Sequence, residues 1–144
     1  MQTIVSFRTD PKHVSTDACI VWCFDPRFSD LLRVFEEQEG FSRVDLIKIA
    51  GGAKDLAVTG EGNGKDYLLD QIEKSVDLHH PGRIVLMMHD NCGAYGGRED
   101  PEFYKGELRK AGETLVRFFE KKGKRDGIPI SLMYCDFEGA HILD

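Results

Sequence analysis

Two short stretches of the chain hold residue types that do chemistry together. Cys23-Phe24-Asp25-Pro26-Arg27 closes the apolar run Ala18-Cys19-Ile20-Val21-Trp22, and His89-Asp90-Asn91-Cys92-Gly93 follows the run Ile84-Val85-Leu86-Met87-Met88. Cysteine sulfur and imidazole nitrogen are metal ligands, and a carboxylate beside a guanidinium makes a polar pair. Cys23, His89 and Cys92 offer two thiols and one imidazole, the donor set of a zinc site with one position left open. In an extended chain side chains alternate, so Cys23, Asp25 and Arg27 are expected on one side and Phe24 and Phe28 on the other. Pro26 biases Asp25 away from helical dihedrals, which is expected to keep that row extended.

The elements that must position these residues alternate in type. The first apolar run reads as a strand buried on both faces. Ser29 and Asp30 open a helix carrying Leu31, Val34 and Phe35 and stopping at Gly40. Val44 to Ile49 is a second strand, running into the loop Ala50-Gly51-Gly52-Ala53-Lys54. After a break at Glu61-Gly62-Asn63-Gly64, a helix places Leu68, Leu69, Ile72 and Val76 on one face and ends before His79-His80-Pro81-Gly82. The third strand ends at Met88. Asp100 caps a long helix with Leu108, Ala111, Leu115, Phe118 and Phe119 on one stripe, and Ile130 to Tyr134 forms a fourth strand. Residues 1–17 are weakly patterned, with Thr3 to Phe7 forming a short strand or an arm.

Strands alternating with helices predict an α/β fold, a three-layer domain with a central, mostly parallel sheet of four to five strands over 1–144. Ligands of such sheets bind beyond the carboxyl ends of the strands, where strand order reverses. With the first and third strands as neighbours, both chemical stretches arrive at one spot.

Composition narrows the class. The chain has 144 residues, 41% hydrophobic and 31% charged, with a net charge of −6, as expected for one ordinary globular domain. Lys121-Lys122-Gly123-Lys124-Arg125 is the basic run, expected to complement a helix end rather than nucleic acid. With neither a membrane-length apolar stretch nor a signal peptide, a cytoplasmic location is expected. Four cysteines there point to metal ligands or buried apolar residues rather than disulfides. Cys19 reads as buried and apolar.

The paired stretches resemble the β-class carbonic anhydrases, whose signature is C-x-D-x-R at one strand end and H-x-x-C at a later one. Gly93 matches the glycine after the second cysteine, and Tyr134-Cys135-Asp136-Phe137-Glu138-Gly139 is similar to the family's last strand and following turn. The likeness runs from about Ala18 to the C-terminus. It implies that Cys23, His89 and Cys92 bind Zn2+, and that Asp25 and Arg27 are the catalytic dyad beside the metal. Gly51, Gly52 and Gly93 are the candidate substrate-binding backbone. The implied activity is reversible hydration of carbon dioxide to bicarbonate by a zinc-bound hydroxide, in a homodimer or dimer of dimers. Phe24, Phe28 and Tyr95 are candidates for the subunit boundary.

The chain also departs from the family. Lys48-Ile49-Ala50-Gly51-Gly52 stands where many relatives read close to R-N-A-G, and Phe24 and Pro26 stand where small polar residues are usual. Alternative readings are a hydrolase of a related small molecule, carbonyl sulfide or carbon disulfide, and a non-catalytic zinc-binding domain. The latter needs a fourth protein ligand, for which Asp25 and Cys135 are the candidates.

Overall fold

The computed structural model of the chain describes residues 2, 4–60, 62–124 and 127–143. Thr3 of the arm, Glu61 of the glycine-rich break and Arg125 of the basic run lie outside the described residues. Five strands form one sheet: β1 (Ala18–Cys23), β2 (Val44–Ile49), β3 (Ile84–His89), β4 (Ile130–Cys135) and β5 (Ala140–Leu143), in the order β2-β1-β3-β4-β5. β1 is parallel to both β2 and β3, β3 is parallel to β4, and β5 is antiparallel to β4. The helices are α1 (Ser29–Glu39), the short α2 (Lys54–Ala57), α3 (Asn63–His79) and α4 (Pro101–Lys121).

Every residue of β1 and β3 is buried, as continuous apolar runs require when both faces of a parallel sheet are covered. Right-handed crossovers put α1 on one face and α3 and α4 on the other, because the chain leaves β1 in one direction and returns past it in the opposite one. Trp22 stacks on Phe35 of α1 at 6.5 Å, while Tyr134 stacks on Tyr104 of α4 at 6.2 Å. β2 lies at one edge, and its Leu46 is exposed. The switch point therefore falls between β1 and β3, and their carboxyl ends sit side by side.

The helix boundaries follow capping chemistry. Asp100 accepts from the Phe103 N–H at 3.1 Å with Pro101 in the first turn, and Gly40 ends α1 in the left-handed region at φ 71°. α1 lacks the side-chain cap expected from Ser29 and Asp30, because its N-cap is Phe28, the last residue of a preceding 3-10 turn. Lys122 and Lys124 pair with Glu73, and Lys124 also with Asp77, both acids on α3. The fifth strand is set by a turn in which the Asp136 carboxylate accepts from Glu138 N–H and Gly139 N–H at 2.8 and 2.9 Å. The described part of the arm forms no strand, and Ile4, Val5 and Phe7 are exposed. Among the described residues no helix is long and apolar enough to cross a membrane.

The loop after β2 crosses the end of β3 at close range. Ala53 N–H donates to the Met87 carbonyl at 3.0 Å, and Gly52 lies against that same carbonyl at φ 58°, where a Cβ would overlap the oxygen. Gly52→Ala is expected to destabilise the chain by about 2 kcal/mol or more. Gly40→Ala, at a positive φ with open space around it, should cost only about 1 kcal/mol. Denaturant midpoints measure the difference, and equal losses would show that the loop yields.

Candidate metal centre

Cys23 and His89 are the last residues of β1 and β3, just past the end of their pairing at Val21 and Leu86, so the strand order brings them to the same end of the sheet. Cys92 returns to them through a tight turn in which Asn91 takes φ 52°. The turn is pinned from behind: Asn91 N–H donates to Arg98 C=O at 2.9 Å, Cys92 N–H donates to the Tyr104 hydroxyl at 3.1 Å, and that hydroxyl donates to Arg98 C=O at 2.8 Å. The three ligand atoms lie within 4.8 Å of one another, and all three residues are buried.

Each donor is prepared for a cation. His89 Nδ1 sits 2.7 Å from the Asp90 carbonyl, which makes Nδ1 the protonated nitrogen and leaves the Nε2 lone pair free. Nε2 is buried with no hydrogen-bond partner, and Phe28 packs on the ring at 4.3 Å. The two thiols shift each other in opposite directions. The neighbouring Cys92 side chain pulls the Cys23 thiol down to about 4, while Cys23 and burial push the Cys92 thiol up.

Beyond Cys23 the backbone does not stay extended. Asp25 keeps φ −54° and ψ 119°, the range expected before proline, but it caps a 3-10 turn, Pro26–Phe28. The expected alternation therefore ends at Asp25, because proline restrains the residue before it and suits the start of a helical turn. The turn folds Arg27 back on Asp25. Its Nε donates to Oδ1 at 3.0 Å and its Nη2 to Oδ2 at 2.7 Å, a two-pronged pair. Those bonds hold the Asp25 carboxyl down at about 2. Asp25 Oδ2 lies 3.9 Å from His89 Nε2. Phe28 turns inward and Phe24 stays 60% exposed, so of the three proposed boundary aromatics Phe28 fills this chain's own core. Tyr95 is half-buried, its hydroxyl donating to Glu107 at 3.1 Å.

No family model matches the chain, and no curated protein matches its sequence. Solved structures do match. The carbonic anhydrase from Streptococcus mutans is 19% identical, with 96% of this chain and 88% of that one covered at a TM-score of 0.61. A tetrameric β-carbonic anhydrase from Sordaria macrospora is 14% identical, covering 90% and 81% at 0.57. β-Carbonic anhydrase isoform I from Trichomonas vaginalis is 17% identical, covering 96% and 86% at 0.53. The chain has the β-carbonic anhydrase fold.

On that fold the remaining candidates fall as follows. Gly51, at φ 76°, has its backbone beside the Cys23 sulfur; Gly52 packs on β3; and Gly93 opens a 3-10 turn, Gly93–Tyr95, with open space where a Cβ would stand. Cys19 and Cys135 are wholly buried. Cys135 pairs in register with His89 but is no part of the ligand group, the one such group among the described residues. His79 pairs with Asp45 at 2.8 Å where α3 ends, and His141 with Asp136 at 3.0 Å. Asn91 and Phe137 escaped the sequence reading. Both touch Arg27, Asn91 through two hydrogen bonds and Phe137 with its ring 5.4 Å from the guanidinium carbon. The asparagine inside H-x-x-C was the available signal, since asparagine tolerates the left-handed turn that a ligand pair so close together needs.

The donor set fits a soft dication. A tetrahedral shell with bonds of about 2.0–2.3 Å has edges of about 3.3–3.8 Å, so the side chains need only contract slightly. A bound metal would take the orphaned Nε2 and displace protons from the thiols. Cys92→Ser is expected to lose most bound metal, because a hydroxyl replaces a thiolate poorly. Metal analysis after gel filtration measures this, and full retention would show that Cys92 is not a ligand.

Proposed function

We propose that the chain is a zinc-dependent lyase that interconverts carbon dioxide and bicarbonate. Cys23, His89 and Cys92 would hold the ion. The observation that carries this reading is the Asp25–Arg27 pair beside three convergent ligand atoms: a purely structural zinc site has four protein ligands and no use for a restrained carboxylate. When bound, zinc would lower the pKa of a water in its open position to about 7 and so supply the nucleophile at neutral pH.

Asp25 does the orienting. With a pKa near 2 it stays ionised, and an ionised carboxylate only accepts hydrogen bonds. It accepts from the nucleophile's O–H and turns a lone pair toward the carbon of carbon dioxide. So depressed a pKa makes it a poor general base near neutrality. Its part is to aim, not to carry the proton away. Arg27 occupies both carboxylate oxygens and keeps Asp25 from moving onto the ion. Phe28, packed on His89, shields the ligand side of the centre from water.

Assembly and setting belong to the same reading. Phe24 and Phe137 are each 60% exposed beside the site, and aromatics are enriched at interface cores. We place them against a second copy in a homodimer, free to pair again as in the tetrameric Sordaria enzyme. All four cysteines are free and buried, which suits the reducing cytoplasm.

Oxygen-18 exchange between labelled bicarbonate and water, in protein of known zinc content, tests the activity. Asp25→Asn is expected to keep its zinc and slow exchange by about 100-fold or more, because an amide can donate where an acceptor is needed. Zinc-loaded wild type that catalyses no exchange would defeat the reading in favour of a closed, non-catalytic site. Light scattering at micromolar concentration should give twice or four times the chain mass. A fully active monomer would remove the subunit boundary from the site.

A further inference from the structure

Arg27 is held on two edges, and only one of them faces Asp25. Its Nη1 donates to Asn91 Oδ1 at 3.1 Å and its Nη2 to the Asn91 carbonyl at 3.0 Å. The other end of the Asn91 amide is also engaged, with Nδ2 donating to Glu99 Oε1 at 2.9 Å and to the Gly97 carbonyl at 3.4 Å. The amide can point only one way. Its oxygen must face the guanidinium, which has no acceptor, and its nitrogen must face the carboxylate. The Phe28 and Phe137 rings flank the guanidinium at 5.9 and 5.4 Å. Asp25, by contrast, has its Oδ2 only 3.9 Å from the lone nitrogen of His89, so a small side-chain rotation would bring that oxygen to the metal.

We propose that Asn91 is a positioning residue. By holding the far edge of Arg27 it keeps the guanidinium on Asp25, and so keeps Asp25 out of the fourth metal position. This rests on the assignment of Cys23, His89 and Cys92 as metal ligands. A side chain present only to serve the turn would be dispensable: Asn91 sits at φ 52°, where glycine is at least as comfortable. Asn91→Gly therefore keeps the backbone, including the carbonyl that accepts from Arg27 Nη2, and removes the side-chain amide that holds Nη1.

Cobalt substituted for zinc reports the fourth position through its visible absorption, independently of turnover. Wild type carrying one cobalt per chain should bind azide with a change in that spectrum. Asn91→Gly should keep its cobalt but bind azide about 10-fold more weakly or worse, with Asp25 in the way. Asp25→Ala added to Asn91→Gly should restore azide binding. Wild-type azide affinity in Asn91→Gly, or a loss that Asp25→Ala does not repair, would overturn the proposal. Should Asn91→Gly not fold, Glu99→Ala loosens the same amide from an exposed position and should weaken azide in the same direction; an unchanged affinity there would overturn it equally. Wild type that takes up no cobalt would instead strike down the ligand assignment, and that is seen before any variant is made.

Discussion

Because β1 and β3 lie side by side with both faces covered, neither strand can slide without moving its apolar set out of register with the helices above and below. Cys23 and His89 inherit that rigidity as the terminal residues of the pair. The remaining parts are arranged around it. The loop after β2 closes on the Met87 carbonyl, Phe28 covers the imidazole, and Tyr104 on α4 reaches up to pin the turn that returns Cys92. Supports from both layers thus meet where the strand order reverses.

Charge is balanced as tightly as shape. Cys23 is pulled down and Cys92 pushed up, opposite shifts that keep the two neighbouring sulfurs from ionising together. A dication held there would be neutralised by the two sulfurs, and Arg27 neutralises Asp25. Every formal charge then has a partner within its own neighbourhood, as a largely buried centre requires.

Much of this was legible in the sequence where one physical cause dominates. Two-sided burial wrote β1 and β3 as unbroken apolar runs, Asp100-Pro101 announced α4, and C-x-D-x-R with H-x-x-C held the three residues that converge at the candidate centre. The path after Asp25 was not legible, since alternation and a 3-10 turn were both compatible with Asp25-Pro26-Arg27, and the bonds of Arg27 to Asn91 come from a distant stretch. A fifth strand was within the expected four to five, but β5 was not placed because four residues with three exposed positions carry little apolar signal; the Asp136 to Gly139 turn was the better clue. The neighbour relation of β1 and β3 had to be inferred from topology, because nothing local encodes it.

That relation also sets an order of events during folding. Parallel strands joined through an intervening strand and helix cannot pair until the long connection between them has closed, and such non-local closure is slow compared with helix formation. The thiol near one end of the chain and the imidazole and thiol far downstream stay strangers until the middle of the sheet exists. A newly made chain therefore has His89 and Cys92 close together by sequence alone, and Cys23 joins them only once β1 and β3 stand side by side.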